Sequence, residues 1–122
     1  DIMEQTGQNK GEVLGTVHTR AYNYFNGSLG VAPSARQPLP DACTAFHDYH
    51  LTWSADRIRI GVNGQDYFQY DNPNNGDTTR WPFNRPQYLL LNLAVGGDLG
   101  GAVDDGAMPQ ELTIDHVRVY QR

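Results

Sequence analysis

The sequence predicts an all-β fold, an antiparallel β-sandwich or jelly roll, from three observations. Several segments alternate apolar and polar side chains with a period of two, which is typical of strands that bury one face. Thirteen Gly and seven Pro among 122 residues supply many turns. No segment of helical length shows a 3.6-residue period, so we expect no substantial helix.

The clearest local signal is RIRIGVNGQDYFQY at residues 57–70. Apolar side chains alternate up to Val62, and the dipeptide Asn63-Gly64 follows. Both residues tolerate the positive φ angles that a tight hairpin turn requires. The segment therefore predicts a hairpin with its turn at Asn63-Gly64.

The other elements follow from the same alternation and from the distribution of turn residues. Residues 20–45 are punctuated by Gly and Pro and are predicted to be rich in loops. Trp53 belongs to an alternating strand and is predicted to lie in the core. Four further strands are expected, at residues 13–19, 46–53, 88–95 and 112–120.

Composition and charge exclude several classes of partner. The formal net charge of −5 argues against nucleic acid and anionic membranes, which need basic surfaces. No apolar run is long enough to span a bilayer. A neutral polysaccharide is compatible with this charge. The single Cys43 is expected to be a buried or half-buried free thiol, or else to pair with a Cys outside this sequence.

The opening segment, DIMEQTG, carries two carboxylates, Asp1 and Glu4, around an apolar pair. Side chains three apart on a regular strand point to opposite faces. A β-bulge at Ile2 or Met3 would bring both carboxylates to one face, and bulges are common beside active sites. By spacing alone, two solvated charges are the alternative interpretation.

Five segments resemble glycoside hydrolase family 16 in its laminarinase-like form. DIMEQTG is similar to the end of the family signature E-[ILV]-D-[IV]-M-E. The other four occur in the family's order: LGTVHT, FHDYHLTWSADRIRIGVNGQDYF, WPFNRPQYLLLNLAVGG and IDHVRVYQ. The resemblance implies a β-jelly roll of the concanavalin A type, of which residues 1–122 would be the C-terminal portion, starting inside the catalytic strand.

The resemblance also implies roles for individual residues. Glu4 would be the acid/base of a retaining glycosidase, and Asp1 would lie between the two catalytic acids and orient the nucleophile. That nucleophile, a Glu two positions before Asp1, is not in the sequence. His18 would bond a carboxylate or a sugar hydroxyl, and Asn92 would bond sugar hydroxyls, each with a structural role as the alternative. Trp81 would be a stacking platform for a sugar ring, with core packing as its alternative.

No cofactor is expected for catalysis. By resemblance, Asp115 occupies a position where many family members bind a structural calcium, whose oxygen ligands would come mostly from segments outside this sequence. A zinc site at His47 and His50 is not expected, because side chains three apart on a strand diverge and no further ligands complete a tetrahedral set.

The sequence thus leads to a function with one main alternative. The resemblance implies hydrolysis of β-1,3-glucosidic bonds in laminarin-type glucans by an extracellular or periplasmic enzyme, with mixed-linkage glucan, agarose and carrageenan as other substrates within the family. The alternative is a non-catalytic β-glucan-binding protein on the same fold. The 122 residues alone are expected to be inactive, and to require the N-terminal half of the domain or self-association.

Overall fold

The structure, a computed structural model, describes residues 1–24 and 30–121. The chain forms two compact units, Asp1–Gln87 and Tyr88–Arg122. The described residues hold antiparallel strands and no helix longer than four residues. The predicted all-β class is confirmed.

The first unit contains two antiparallel sheets among its described residues. Their strands are β1 (Glu12–Thr16), β2 (Ser34–Pro38), β3 (Tyr49–Trp53), β4 (Arg57–Val62) and β5 (Gln65–Asp71). In the first sheet, β1 and β2 pair with Leu14 opposite Arg36. On its other edge, β1 pairs with the opening segment through a bridge between Glu4 and Leu14. The second sheet has the order β3-β4-β5.

The predicted hairpin joins β4 to β5. Asn63 and Gly64 adopt φ angles of 51° and 80°, as the tight turn requires. The backbone N–H and the side-chain oxygen of Asn63 also bond the backbone of Asp48, at 2.9 and 3.1 Å. The turn is therefore tied to the residues that lead into β3.

Apolar side chains from both sheets meet between them. Val17 from the segment after β1 packs with Ile58 and Ile60 of β4, and Val13 of β1 packs with Val62. These are the positions that alternation assigns to the buried face. Removing them from water is the main stabilising contribution to this unit.

Gly61 marks a close approach within the second sheet. The register of β4 and β5 shifts between Ile60 and Gly61. A Cβ atom at Gly61 would overlap the Gln65 carbonyl oxygen and the His50 ring. The ring is held in place, because its Nε2 lies 2.9 Å from Asp66 Oδ1. A larger residue would have to displace the backbone of β5.

We therefore expect Gly61→Ala to lower the free energy of unfolding by about 1–3 kcal/mol, the usual cost of overpacking. The matched control is Gly7→Ala, because a Cβ at Gly7 meets nothing within 4 Å. The control should change the free energy of unfolding by no more than about 0.5 kcal/mol. Urea denaturation of both variants measures the difference, and equal values would contradict this packing.

Four expectations about the first unit need correction. The strand β2 lies in the stretch expected to be loop, because its sequence is polar and contains Pro38, and its pairing with β1 is not local. Trp53 is 44% exposed rather than buried, since β3 is an edge strand. Cys43 is exposed, because it lies in turns after Leu39 and not on a strand. The predicted strands at residues 13–19 and 46–53 are both shorter than expected.

The second unit holds a short helix, α1 (Gly97–Gly100), and a 3₁₀ turn, Asp105–Ala107. The strands predicted at residues 88–95 and 112–120 are wrong for this structure, since neither forms a ladder among the residues described. Alternation specifies two side-chain faces, but a strand also needs a neighbour for its N–H and C=O groups. Apolar side chains of both segments are exposed.

Candidate active site

A β-bulge in the opening segment brings its two carboxylates together. Glu4 and Leu14 exchange backbone hydrogen bonds of 2.8 and 2.9 Å. Two residues after Leu14 on β1, the backbone N–H of Thr16 donates to the carbonyl of Asp1 at 3.0 Å. Asp1 lies three residues before Glu4. Between these two bonded positions the opening segment advances three residues, from Glu4 back to Asp1, whereas β1 advances two, from Leu14 to Thr16. The opening segment therefore has one extra residue, which defines a β-bulge.

The bulge sorts the four side chains of the opening segment onto two faces. Ile2 and Met3 both pack against the core between the sheets. Asp1 and Glu4 lie on the outer face, with carboxylate oxygens within 4.8 Å of each other and of a His18 ring nitrogen. The predicted bulge is therefore confirmed, and it produces a cluster of Asp1, Glu4 and His18.

Two residues on the outward face of β1 and its continuation hold the carboxylates. The Thr16 hydroxyl donates to Glu4 Oε2 at 3.0 Å. His18 Nε2 lies 2.9 Å from Asp1 Oδ2. Thr16 is 1% exposed, so its hydroxyl position is fixed by packing. The orientation of both carboxylates is therefore set by β1 rather than by the opening segment alone.

Thr16 is a contact that our sequence analysis did not assign to the site. The signal was present, because Thr16 lies two residues before His18 and shares its strand face. A hydroxyl donor to one carboxyl oxygen fixes the plane of the carboxyl group. Thr16 is therefore a positioning residue for Glu4.

Burial lowers the pKa of His18 below its ordinary value. The Glu4 carboxylate opposes this effect. A neutral imidazole with its proton on Nε2 can donate to Asp1 Oδ2. In this contact Asp1 Oδ2 is the hydrogen-bond acceptor.

We expect His18 to titrate below about pH 6.5, the value of an unfolded His. Because its pKa is lower in the folded state, its contribution to stability is fully present above about pH 6.5 and is lost as the pH falls through the folded pKa. Glu4→Gln should lower the pKa of His18 further, because the carboxylate raises it. NMR titration of the imidazole signals measures both values. A His18 pKa at or above 6.5 would contradict the arrangement.

Trp81 lies in the core of the first unit. It is 3% exposed and stacks on Tyr70 with ring centroids 5.8 Å apart. Its Nε1–H donates to Asn84 Oδ1 at 3.1 Å. An indole buried in this way has no free face for a sugar ring. The structure therefore supports core packing, the alternative for Trp81, and corrects the predicted stacking platform.

Asn92 and Asp115 belong to the second unit, and both are exposed. Asp115 Oδ2 lies 3.2 Å from His116 Nδ1. Among the residues described, Asp115 is not in a group of three His, Cys, Asp or Glu side chains close enough to share a metal ion. The side chains around Asp115 therefore do not by themselves fit a calcium cage. The sugar-binding role of Asn92 stays a prediction.

His47 and His50 bond different partners. His47 contacts Asn63 through Nδ1 at 2.9 Å and Asp41 through Nε2 at 3.2 Å. His50 Nε2 bonds Asp66. Each imidazole is thus used in a local contact of its own.

In the part of the chain that the structure describes, no helix is both long and apolar enough to cross a membrane.

Comparison with known proteins places these features in a family. Residues 1–118 match the profile of Glycosyl hydrolases family 16. A β-glucanase of Rhodothermus marinus is 41% identical over 99% of this chain and 43% of its own length. A keratan-sulfate endo-1,4-β-galactosidase of Sphingobacterium multivorum is 32% identical over 99% of this chain and 28% of its own length.

A solved structure agrees in fold. It is a mutant of SCLam, a non-specific endo-β-1,3(4)-glucanase from family GH16, with a 1,3-β-D-cellobiosyl-glucose at its active site. The TM-score is 0.79 at 41% identity, over 89% of this chain and 42% of the other. The chain therefore spans less than half the length of each of these relatives.

Proposed function

Because the chain belongs to Glycosyl hydrolases family 16, we propose that the complete protein hydrolyses β-1,3-glucosidic bonds in laminarin-type glucans with retention of configuration. The observation that carries the proposal is the bulge that puts Asp1 and Glu4 on one face. A retaining glycosidase needs two carboxyl groups about 5–5.5 Å apart on the two sides of the scissile bond. Glu4 supplies one, and the nucleophile is a Glu expected two positions before Asp1.

In the first step, the nucleophile attacks the anomeric carbon while Glu4 gives its proton to the leaving glycosidic oxygen. In the second step, water attacks the same carbon, and Glu4 takes the proton from that water. Thr16 engages Oε2 of Glu4, which leaves Oε1 to give the proton to the leaving group. Both steps depend on a fixed carboxyl orientation, which the buried hydroxyl provides.

Asp1 acts between the two catalytic acids. His18 donates to Oδ2 of Asp1, which leaves Oδ1 to carry a proton and donate a hydrogen bond to the nucleophile carboxylate. This bond would stabilise the charge that the nucleophile regains when the glycosyl-enzyme intermediate breaks down.

Asn92 is proposed to bond sugar hydroxyls, and a calcium ion at Asp115 would need oxygen ligands from elsewhere in the complete protein. A polymeric substrate supports an extracellular or periplasmic location.

A panel of polysaccharides tests the function. We expect the complete protein to release reducing ends from laminarin faster than from mixed-linkage glucan, agarose, carrageenan or keratan sulfate. Keratan sulfate belongs in the panel because the galactosidase of Sphingobacterium multivorum is similar to this chain. NMR of the first products should show the β-anomer, because retention preserves the configuration. No release from any polymer, or an α-anomer as first product, would contradict the proposal.

A further inference from the structure

The segment after β1 carries an exposed aromatic ring beside the carboxylate cluster. Tyr24 is 69% exposed. Its ring centroid lies 5.8 Å from that of His18, with 56° between the ring planes. His18 in turn contacts Asp1. The phenol ring is therefore one side chain away from the groups that the proposed chemistry uses.

From this geometry we infer that Tyr24 is a platform on which a glucose ring adjacent to the cleaved bond stacks. The inference rests on the proposed function. The axial C–H groups of a β-glucose ring form a flat apolar surface, and an aromatic face is its natural partner. The tilt between the two rings leaves a face of Tyr24 uncovered by the imidazole. When a hydroxyl of one glucose unit bonds His18, the next glucose unit of the chain comes within reach of the free face of Tyr24.

The backbone that carries Tyr24 is held in place by its neighbours. Thr19 and Tyr22 exchange backbone hydrogen bonds of 3.0 and 3.2 Å. The Asn23 amide donates to the carbonyls of Thr19 and Arg20 at 3.0 and 3.1 Å. A ring on an anchored segment loses little conformational freedom when a ligand covers it. The anchoring therefore favours a preformed binding surface.

An exposed tyrosine on its own needs no explanation, since single apolar side chains are common on protein surfaces. Two features distinguish Tyr24: its contact with His18 and the side chains that fix its backbone. Trp81, the aromatic residue that the sequence analysis named as a candidate stacking platform, is buried. Tyr24 is thus an aromatic ring beside the cluster that retains a free face.

The test compares four versions of the complete protein: wild type, Tyr24→Ala, Tyr24→Leu and Tyr24→Phe. Leu keeps apolar bulk but has no flat π face, whereas Phe keeps the face and loses only the hydroxyl. We expect Ala and Leu to lower kcat/KM for laminarin oligosaccharides roughly three- to tenfold. The loss should appear mainly in KM, and only for oligosaccharides long enough to reach Tyr24. Phe should stay within about twofold of wild type.

Binding provides a readout that does not depend on turnover. In a Glu4→Gln background, calorimetry with laminaritetraose should show the same weakening for Ala and Leu and none for Phe, at unchanged Tm. If the Tyr24→Ala or the Tyr24→Leu variant bound laminaritetraose with wild-type affinity, the stacking role would be overturned. If the wild-type protein cleaves no glucan and Glu4→Gln binds none, the proposed function itself fails, and that outcome is distinct from an active enzyme that is indifferent to Tyr24.

Discussion

Replacing Glu4 by Gln is expected to lower kcat for laminarin hydrolysis by about 10²–10⁴-fold, the usual contribution of general acid catalysis. Gln keeps the shape of the side chain and can still accept the Thr16 hydrogen bond, but it cannot give a proton to the leaving oxygen. Glucan binding should be largely preserved. Reducing-sugar assays and calorimetry on the complete protein measure the two effects separately.

An activated aryl glucoside serves as an internal control for this variant. Its leaving group needs little protonation, so its glycosylation step should be spared in Glu4→Gln. The matched control variant is Glu12→Gln. Glu12 lies on β1 and pairs with Arg36 on the surface at 2.5 Å, and surface ion pairs contribute little to stability. Full activity of Glu4→Gln on laminarin would show that Glu4 is not the acid.

The carboxylate pair illustrates what a sequence pattern predicts and what it leaves open. Alternation alone places Asp1 and Glu4 on opposite faces. A shared face was expected only because the proposed chemistry needs both groups, so a bulge had to be invoked. The structure has this bulge, with Ile2 and Met3 both turned into the core. The local sequence carried no independent signal for the register with β1.

Elements whose partners are distant in sequence were the least predictable. The hairpin at Asn63-Gly64 was predictable because its turn chemistry is local. In contrast, the sequence SARQP of β2 has no apolar alternation, and it is a strand because β1 supplies hydrogen bonds along one edge. The segments around Leu91 and Val117 show the opposite case, since they alternate without a ladder in the described structure. Pairing, unlike alternation, is a property of two segments.

The role of Trp81 could not be decided from sequence for a related reason. An indole before a proline suits both a sugar platform and a core position. The decision depends on Tyr70, which comes from β5 and covers one indole face. The position of Tyr24 beside His18 was equally hidden, because Tyr24 lies in a stretch that we predicted only as loop.

The 122-residue chain on its own is expected to self-associate and to show no glucanase activity. Residues 88–95 carry four alternating apolar side chains that are between 49% and 56% exposed: Leu89, Leu91, Leu93 and Val95. In the first unit, the edge strand β3 exposes Leu51 and Trp53. Exposed apolar patches drive association, and free strand edges recruit other strands. The N-terminal half of the domain, or further copies of the chain, would cover these surfaces.

Sedimentation velocity and a laminarin reducing-sugar assay on the purified chain test this prediction. Leu91→Lys should shift the distribution toward smaller species, because a charge opposes burial of that surface. Gln87→Lys adds the same charge at an exposed polar position just before residues 88–95. This variant should leave the distribution of sedimenting species unchanged. Inactivity is expected because Glu4 alone cannot form a glycosyl-enzyme intermediate without the nucleophile. A compact monomer that hydrolyses laminarin would contradict both the association and the assignment of the nucleophile to a residue before Asp1.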